Sequence, residues 1–516
     1  MAKTTTAAPQ SSTKSILIKI GVIAFIAVFV AVLAFSALRY TTGVVHRAVN
    51  AVSIDGEKLS AMDLRIFYND ARNSYLYQYG YILQMYGYDM STIDSQVCLL
   101  DNTMTWGQYF VNQGFTQASN VLTLNILGEK AGFTAPDVEA NVAAYIENVK
   151  TAAEEEGISV KKYLRDAYGK GTTLKDVEKT AKLSEYANAY YEYLTEGYYD
   201  SYSADDIQAY YEKNKNTYDL HEYYAIKVPY TTYTYKAPAE GQSVPAGQPK
   251  STEEATKMTD DERADAQNLA NSIYAEVTLE NFETVAKKYW DEQDNDKEFT
   301  TALTTYTASD IESLIGKWLS TEGNNVQGFK DVLADPDNSQ FIVIMYNRRY
   351  LPEVDTINVR HILINTQAIP SDATAEQKAE IEKANADAKA EAERIYTEWK
   401  NGAATEESFA QLAKKYTQDP GSAAEGGLYE NVAKGEMVEA FDTWCFDESR
   451  KAGDTDIVKS NDYGYHIMYF VGEGLVQYEA QIREALSVEE YNAYYNEQTK
   501  DMAVDTYDLG TMLMFS

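Results

Sequence analysis

The chain has 516 residues, enough for about three domains. Its 79 Asp and Glu against 45 Lys and Arg give a formal net charge of −34, which argues against a nucleic-acid partner, since phosphate binding needs a basic stripe. Two cysteines, four histidines and no Cys-x-x-Cys leave a metal, thiol redox chemistry or any other cofactor without support.

In chain order, residues 1–15 are polar and 16–38 read as a transmembrane signal-anchor: Ile20 to Leu38 holds no charged residue. Lys3, Lys14 and Lys19 precede that run and Arg39 and Arg47 follow it. The positive-inside tendency then puts 1–15 in the cytoplasm and the large C-terminal part outside it, a single-pass cell-membrane protein held through its N-terminal helix. Ala34-Phe35-Ser36 also passes as a cleavage site, so retention and removal of this helix both stand.

Val52 to Ser60 reads as strand, Asp-Gly turn and strand, and Ser60-x-x-Asp63 as the cap of a helix carrying Leu64 and Phe67. This opening resembles the N-terminal chaperone domain of SurA-like and PrsA-like foldases. Helical patterns continue to Tyr218, ending on a segment capped by Ser203, whose twin near the C-terminus starts at Ser487 with Glu490 three residues on. The resemblance implies a chaperone domain over 49–218, completed by the helical segment 476–516. The 43 tyrosines, each an apolar ring with a polar tip, suit surfaces that touch unfolded chains.

Residues 219–352 and 353–475 look like two copies of one module. Phe282 to Tyr289 matches Phe409 to Tyr416, Tyr223 to Ile226 matches Arg360 to Leu363, and Ile342 to Tyr346 matches Tyr465 to Tyr469. That alignment puts Tyr224 and Val343 where the second copy has His361 and His466. Ala237 to Lys250 reads as a flexible insertion and the acid-rich Asp291 to Glu298 as a solvated loop without a calcium loop's glycine.

In the second copy, Val359, His361 and Leu363 share one face of a strand, and His466, Met468 and Phe470 share one face of another. Burying an imidazole costs free energy unless it finds a partner, and two such histidines on adjacent strands supply one for each other. Between them lie Asp419-Pro420-Gly421-Ser422, Gly426-Gly427 and Gly435-Glu436-Met437-Val438-Glu439-Ala440-Phe441, and Gly464-Tyr465-His466-Ile467 closes the set. Five motifs in this order, over 355–474, resemble the parvulin family of peptidyl-prolyl isomerases. Helices at Ile381 to Trp399 and Phe409 to Tyr416 beside a small antiparallel sheet make the fold class α+β. Cys445 shares a helix face with Val438 and Phe441; a disulfide with Cys98 stays open.

The resemblance implies His361, His466 and Asp419 as the catalytic group and Tyr429, Met437, Phe441, Leu363 and Gly464 as the binding slot. Tyr429 and Glu430 stand where the family has Leu and Gly. The function expected is extracytoplasmic prolyl isomerisation and chaperoning of exported, unfolded polypeptides with X-Pro bonds. The alternative is an inactive chaperone or envelope scaffold that keeps the fold.

Overall fold

Ser60 begins the first long helix by the device its spacing predicts. Its hydroxyl accepts the Asp63 N–H at 3.3 Å while the Asp63 carboxylate accepts the Ser60 N–H at 2.8 Å. The structure, a computed structural model, describes residues 42–135, 137–237, 243–292, 299–307 and 313–513. These form two units: one holds the described residues up to Ser201 and from Glu484 on, the other Tyr202–Arg483.

The first unit starts with α1 (Val44–Ala48), β1 (Asn50–Ile54) and β2 (Glu57–Ser60). Asp55 and Gly56, at φ 47° and 91°, make the hairpin turn. Helices α2 (Ala61–Met85), α3 (Trp106–Ala131), α4 (Val138–Glu155), α5 (Val160–Tyr168) and α6 (Leu174–Ser201) follow. Phe67, Trp106 and Phe110 sit fully buried at the centre, with Trp106 and Phe110 stacked 5.6 Å apart.

The second unit opens with α7 (Ala204–Tyr218), capped by Ser203 and Asp206. The predicted helical domain ran to Tyr218; the second unit instead begins at Tyr202 and takes α7 with it. Two small antiparallel sheets follow. One is built from β3 (Leu220–Pro229), α8 (Thr252–Glu276), α9 (Phe282–Glu292), β4 (Leu303–Thr307), α10 (Leu314–Ser320), β5 (Lys330–Asp335) and β6 (Gln340–Tyr350). The other is built from β7 (Thr356–Asn365), α11 (Ala375–Asn401), α12 (Glu406–Tyr416), β8 (Leu428–Ala433), α13 (Glu439–Cys445), β9 (Thr455–Lys459) and β10 (Gly464–Glu473). The strand orders, β4-β3-β6-β5 and β8-β7-β10-β9, correspond strand for strand. The fold class is thus α+β, with helical and small-sheet modules.

Each sheet is covered on both faces. In the second, Ile362, Ile364 and Ile467 pack under α11 and α12 with Ile395, Trp399 and Phe409. Val359, Met468 and Phe470 pack on the other face with Phe441, Trp444 and Cys445 of α13. In the first, Ile226, Val343 and Met345 pack under α8 and α9, and Tyr224 stacks on Phe282 at 5.1 Å. Tyr223, Ala225, Ile342, Ile344 and Tyr346 face α10. The expected alignment of the two copies is therefore off by one residue. Tyr224 and Val343 lie on the face opposite to that of His361 and His466, because a one-residue slip in a strand moves every side chain across the sheet.

The described residues close with α14 (Gln477–Thr499), β11 (Val504–Thr506) and α15 (Asp508–Leu513). β11 pairs with β1, Val52 opposite Thr506 and Ile54 opposite Val504. The Tyr494 and Tyr190 hydroxyls meet at 2.8 Å and Tyr495 donates to Asn120 at 3.0 Å. Ser487 does not cap a helix. It lies inside α14, where its hydroxyl donates to the Glu484 carbonyl at 2.8 Å, so an already running helix absorbs the cap-like pattern.

No helix among the described residues is long and apolar enough to cross a membrane. The span expected at 16–38, with residues 1–15 and Ala34-Phe35-Ser36, lies outside the described residues. The signal-anchor, single-pass placement, extracytoplasmic orientation and membrane partner are corrected on this finding. The long helices are amphipathic, α11 burying only Ala392, Ile395 and Trp399, the signature of a helix with one face on a core. Cys98 and Cys445 are both buried and free, each packed in its own core.

Candidate active site

The antiparallel register of β7 and β10 sets Met468 opposite His361 and His466 opposite Leu363. The two histidines are therefore diagonal neighbours on one face, within reach of each other. Their rings lie 5.4 Å apart and nearly parallel, and their Nδ1 atoms are 3.2 Å apart. Each histidine is 4% exposed.

The loops hold the rest. Gly426 and Gly427 take φ 63° and 77°, and a Cβ on Gly427 would lie 2.1 Å from the His361 carbonyl oxygen, so only glycine lets this loop press on the strand. The His361 N–H donates to the Gly427 carbonyl at 2.8 Å. Leu363, 6% exposed, anchors the next loop through its backbone: its N–H donates to Thr417 Oγ1 at 3.0 Å and its carbonyl accepts the Gln418 N–H at 2.8 Å. Asp419 is thereby carried to His361, with Nε2 to Oδ2 at 2.8 Å. The same oxygen accepts from Ser422 at 2.5 Å and Tyr429 at 2.9 Å. At the far end, Ser460 Oγ lies 3.0 Å from His466 Nε2 and accepts the Tyr463 and Gly464 N–H groups at 3.2 Å each. Gly464 serves this turn and the strand pair, where a Cβ would lie 2.3 Å from the Ile364 carbonyl oxygen.

These contacts hold Asp419 ionised. The His361 Nε2–H, strengthened by Ser422 and Tyr429, holds the Asp419 carboxyl far below the usual carboxylate range against the opposing effect of burial. An ionised Asp419 takes the proton-bearing Nε2 of His361. The two Nδ1 atoms share one hydrogen bond, with donor and acceptor set by the tautomers, and Ser460 Oγ bonds the far nitrogen of His466. Burial first, then the neighbouring His361, push His466 down to about 4, in keeping with a neutral ring. Burial and the bond to Asp419 push the Tyr429 hydroxyl up to about 12, so it remains a donor.

Phe441 stands edge-on to both imidazoles, 5.4 Å from His361 and 5.6 Å from His466. Met437, Val438 and Tyr429 pack partly buried beside it, and the Tyr429 ring lies 5.5 Å from His361. His361, Asp419, His466, Tyr429, Met437 and Phe441 thus come together, while Leu363 and Gly464 contribute chiefly through the backbone. The sequence reading did not assign Ser422 and Ser460. Their signals were the fourth position of Asp-Pro-Gly-Ser and the turn Ser460-Asn461-Asp462-Tyr463-Gly464. Among the described residues no group of three or more His, Cys, Asp or Glu is placed to hold a metal ion.

A family model, the PPIC-type PPIASE domain, matches residues 340–472. Chaperone SurA of Pseudomonas putida is 34% identical over 138 residues, 26% of this chain and 27% of that protein. Foldase protein PrsA 1 of Listeria monocytogenes is 31% identical over 138 residues, 27% of this chain and 37% of the relative. Foldase protein PrsA of a Geobacillus species is 42% identical over 77 residues, 15% of this chain and 26% of the relative. The chain spans well under half the length of these curated relatives, and the relationship to PrsA/SurA-like foldases is a distant one.

Proposed function

We propose, from this distant kinship and the geometry of the β7–β10 sheet, that 353–475 is a parvulin-type peptidyl-prolyl cis-trans isomerase. In the same reading the whole chain is a foldase that acts on unfolded polypeptides with X-Pro bonds. The observation that carries the reading is the continuous bond chain from Ser460 through His466 and His361 to Asp419, closed by Phe441.

Peptide-bond rotation is slow because resonance gives the C–N bond double-bond character. Uncatalysed X-Pro exchange takes roughly 10–100 s. A catalyst needs no nucleophilic attack and no cofactor; it must favour the twisted amide over the planar one. Phe441, Met437 and the Tyr429 ring offer the proline an apolar wall that excludes water. In such a wall the planar amide, with the larger charge separation, loses more solvation than the twisted one. The histidine pair, bonded at every nitrogen, holds a fixed polar floor that does not reorganise during rotation. Asp419 supplies a negative charge at the floor's outer end.

The rival reading is an inactive chaperone or scaffold. Tyr429 favours it, because its hydroxyl occupies Asp419 and tightens the network. A protease-coupled assay on a peptide with one X-Pro bond decides between them. The proposal expects turnover above the spontaneous rate, reduced in His361→Ala and Asp419→Ala while circular dichroism and suppression of client aggregation persist. Turnover no faster than the spontaneous rate in the wild type would sink it.

A further inference from the structure

The strongest local departure from the acidic character of this chain lies in the first unit. Between Ser159 and Lys175 there are five bases, Lys161, Lys162, Arg165, Lys170 and Lys175, and one acid, Asp166. All five bases line one cavity of about 950 Å³ between α5 and the start of α6. Asp166 is already committed, to Lys162 at 2.9 Å and Arg165 at 2.8 Å. Lys161, Lys170 and Lys175 make no ion pair with any described residue.

The wall behind the cavity adds positive charge. Arg65 donates to the Lys170 carbonyl at 2.9 Å and to Thr172 Oγ1 at 3.0 Å, fixing the Gly169–Thr172 loop that presents Lys170. Burial pushes the Arg65 guanidinium down to about 10, and Asp176 only partly offsets it. Asp176 is itself spent on Arg47 and on the Thr173 N–H at 2.8 Å. Lys161, Lys170 and Lys175, without an ion pair among the described residues of a chain of net charge −34, mark a place where an anion from outside would be held. Val160, Leu164 and Leu174 also line the cavity, so its basic side chains surround apolar surface. Its volume is that of a small-molecule site.

We propose that this cavity binds a small amphipathic anion, with a phosphate or carboxylate head on Lys161, Lys170 and Lys175 and an apolar body on Val160, Leu164 and Leu174. Inorganic phosphate alone would use the head contacts and leave the apolar surface bare. A cation of the same shape would be repelled.

Calorimetric titration of the full chain tests this with octyl phosphate, octanoate, butyl phosphate, inorganic phosphate and octyltrimethylammonium, all below micellar concentration. Expected is saturable binding of the two octyl anions, at least about tenfold tighter for octyl than for butyl phosphate, and no binding of the ammonium. Which head binds more tightly distinguishes the phosphate source from the carboxylate source. The combined Lys161→Glu, Lys170→Glu and Lys175→Glu variant should weaken octyl phosphate at least about tenfold. All three side chains are exposed, so this variant keeps its fold, and a Gln version checks that charge removal alone suffices. Equal binding of butyl, octyl and inorganic phosphate would overturn the amphipathic class. Equal binding of the octyl cation, or an unchanged affinity in the Glu variant, would overturn the site itself.

Discussion

The two four-stranded sheets of the second unit share their strand order and their helix placement, yet they bury different things. The β7–β10 sheet turns two imidazoles toward its short helix and satisfies them with Asp419, Ser422, Tyr429 and Ser460. The β3–β6 sheet turns Tyr223, Ala225, Ile342, Ile344 and Tyr346 toward its short helix, with Trp318 and Leu319 packed against them. Its polar contacts are scattered rather than chained: His221 Nδ1 to Tyr346 OH at 3.3 Å, and Trp318 Nε1 to Asp331 at 3.2 Å. The same frame thus carries either a polar chain or an apolar fill. His361 and His466 are satisfied at both ring nitrogens because loops bring Asp419 to one and Ser460 to the other.

The largest expected effect sharpens this contrast. Phe441→Ala and Trp318→Ala each remove a buried aromatic ring from a short helix, at about 3–5 kcal/mol of stability apiece. Denaturant unfolding should give similar losses for both, and the isomerase assay should lose turnover only with Phe441→Ala. Equal loss of turnover in Trp318→Ala would put catalysis in both sheets. Next in size, Ile344→His places an imidazole on the α10 face without an Asp419 or Ser460 to receive it. It should cost about 1–3 kcal/mol and gain no activity. A neutral outcome would mean that the β3–β6 sheet already holds a latent polar chain.

The third effect depends on pH. His466 binds its proton near 4 when folded and near 6.5 when free. As pH falls, the unfolded chain takes up the proton first, so this contribution is full above about 6.5 and declines toward 4. Between pH 7 and 5 the wild type should lose about 2 kcal/mol more than His466→Ile, which cannot titrate there. Asp419, with its depressed carboxyl, affects stability only below the usual carboxylate range, outside this window. Parallel stability profiles for the two proteins would show that His466 is not buried neutral. The smallest effect is that of Tyr429→Phe, which removes one hydrogen bond to Asp419 and should cost about 1 kcal/mol. Turnover that rises in this variant would show Tyr429 holding the floor shut.

The sequence disclosed the His361–His466 pairing because period-2 alternation and a shared strand face are enough to bring two side chains together. It disclosed the Ser60, Ser203 and Thr374 caps because those residues act on backbone three positions away. It misaligned Tyr224 and Val343 because apolar residues on both sides of a fully covered strand erase the alternation that sets register. Ser422 and Ser460 were hidden for a related reason. A turn serine satisfies itself locally in most chains, and only the fold brings these two to a histidine. Ser487 misled because a cap pattern inside a helix looks like one at its start.

The pairing of β11 with β1 has a consequence for synthesis. β1 ends at Ile54 and its partner begins at Val504, so a ribosome adding roughly 5–20 residues per second makes them about 20–90 s apart. The continuous stretch Tyr202–Arg483 can complete its sheets while β1 waits with one edge unpaired. A chain stopped after Thr499 should leave the first unit open to protease and the second resistant; equal resistance of both would refute this order. The later-made β11 would then act as the latch that decides when the earlier-made residues of the first unit become a folded body.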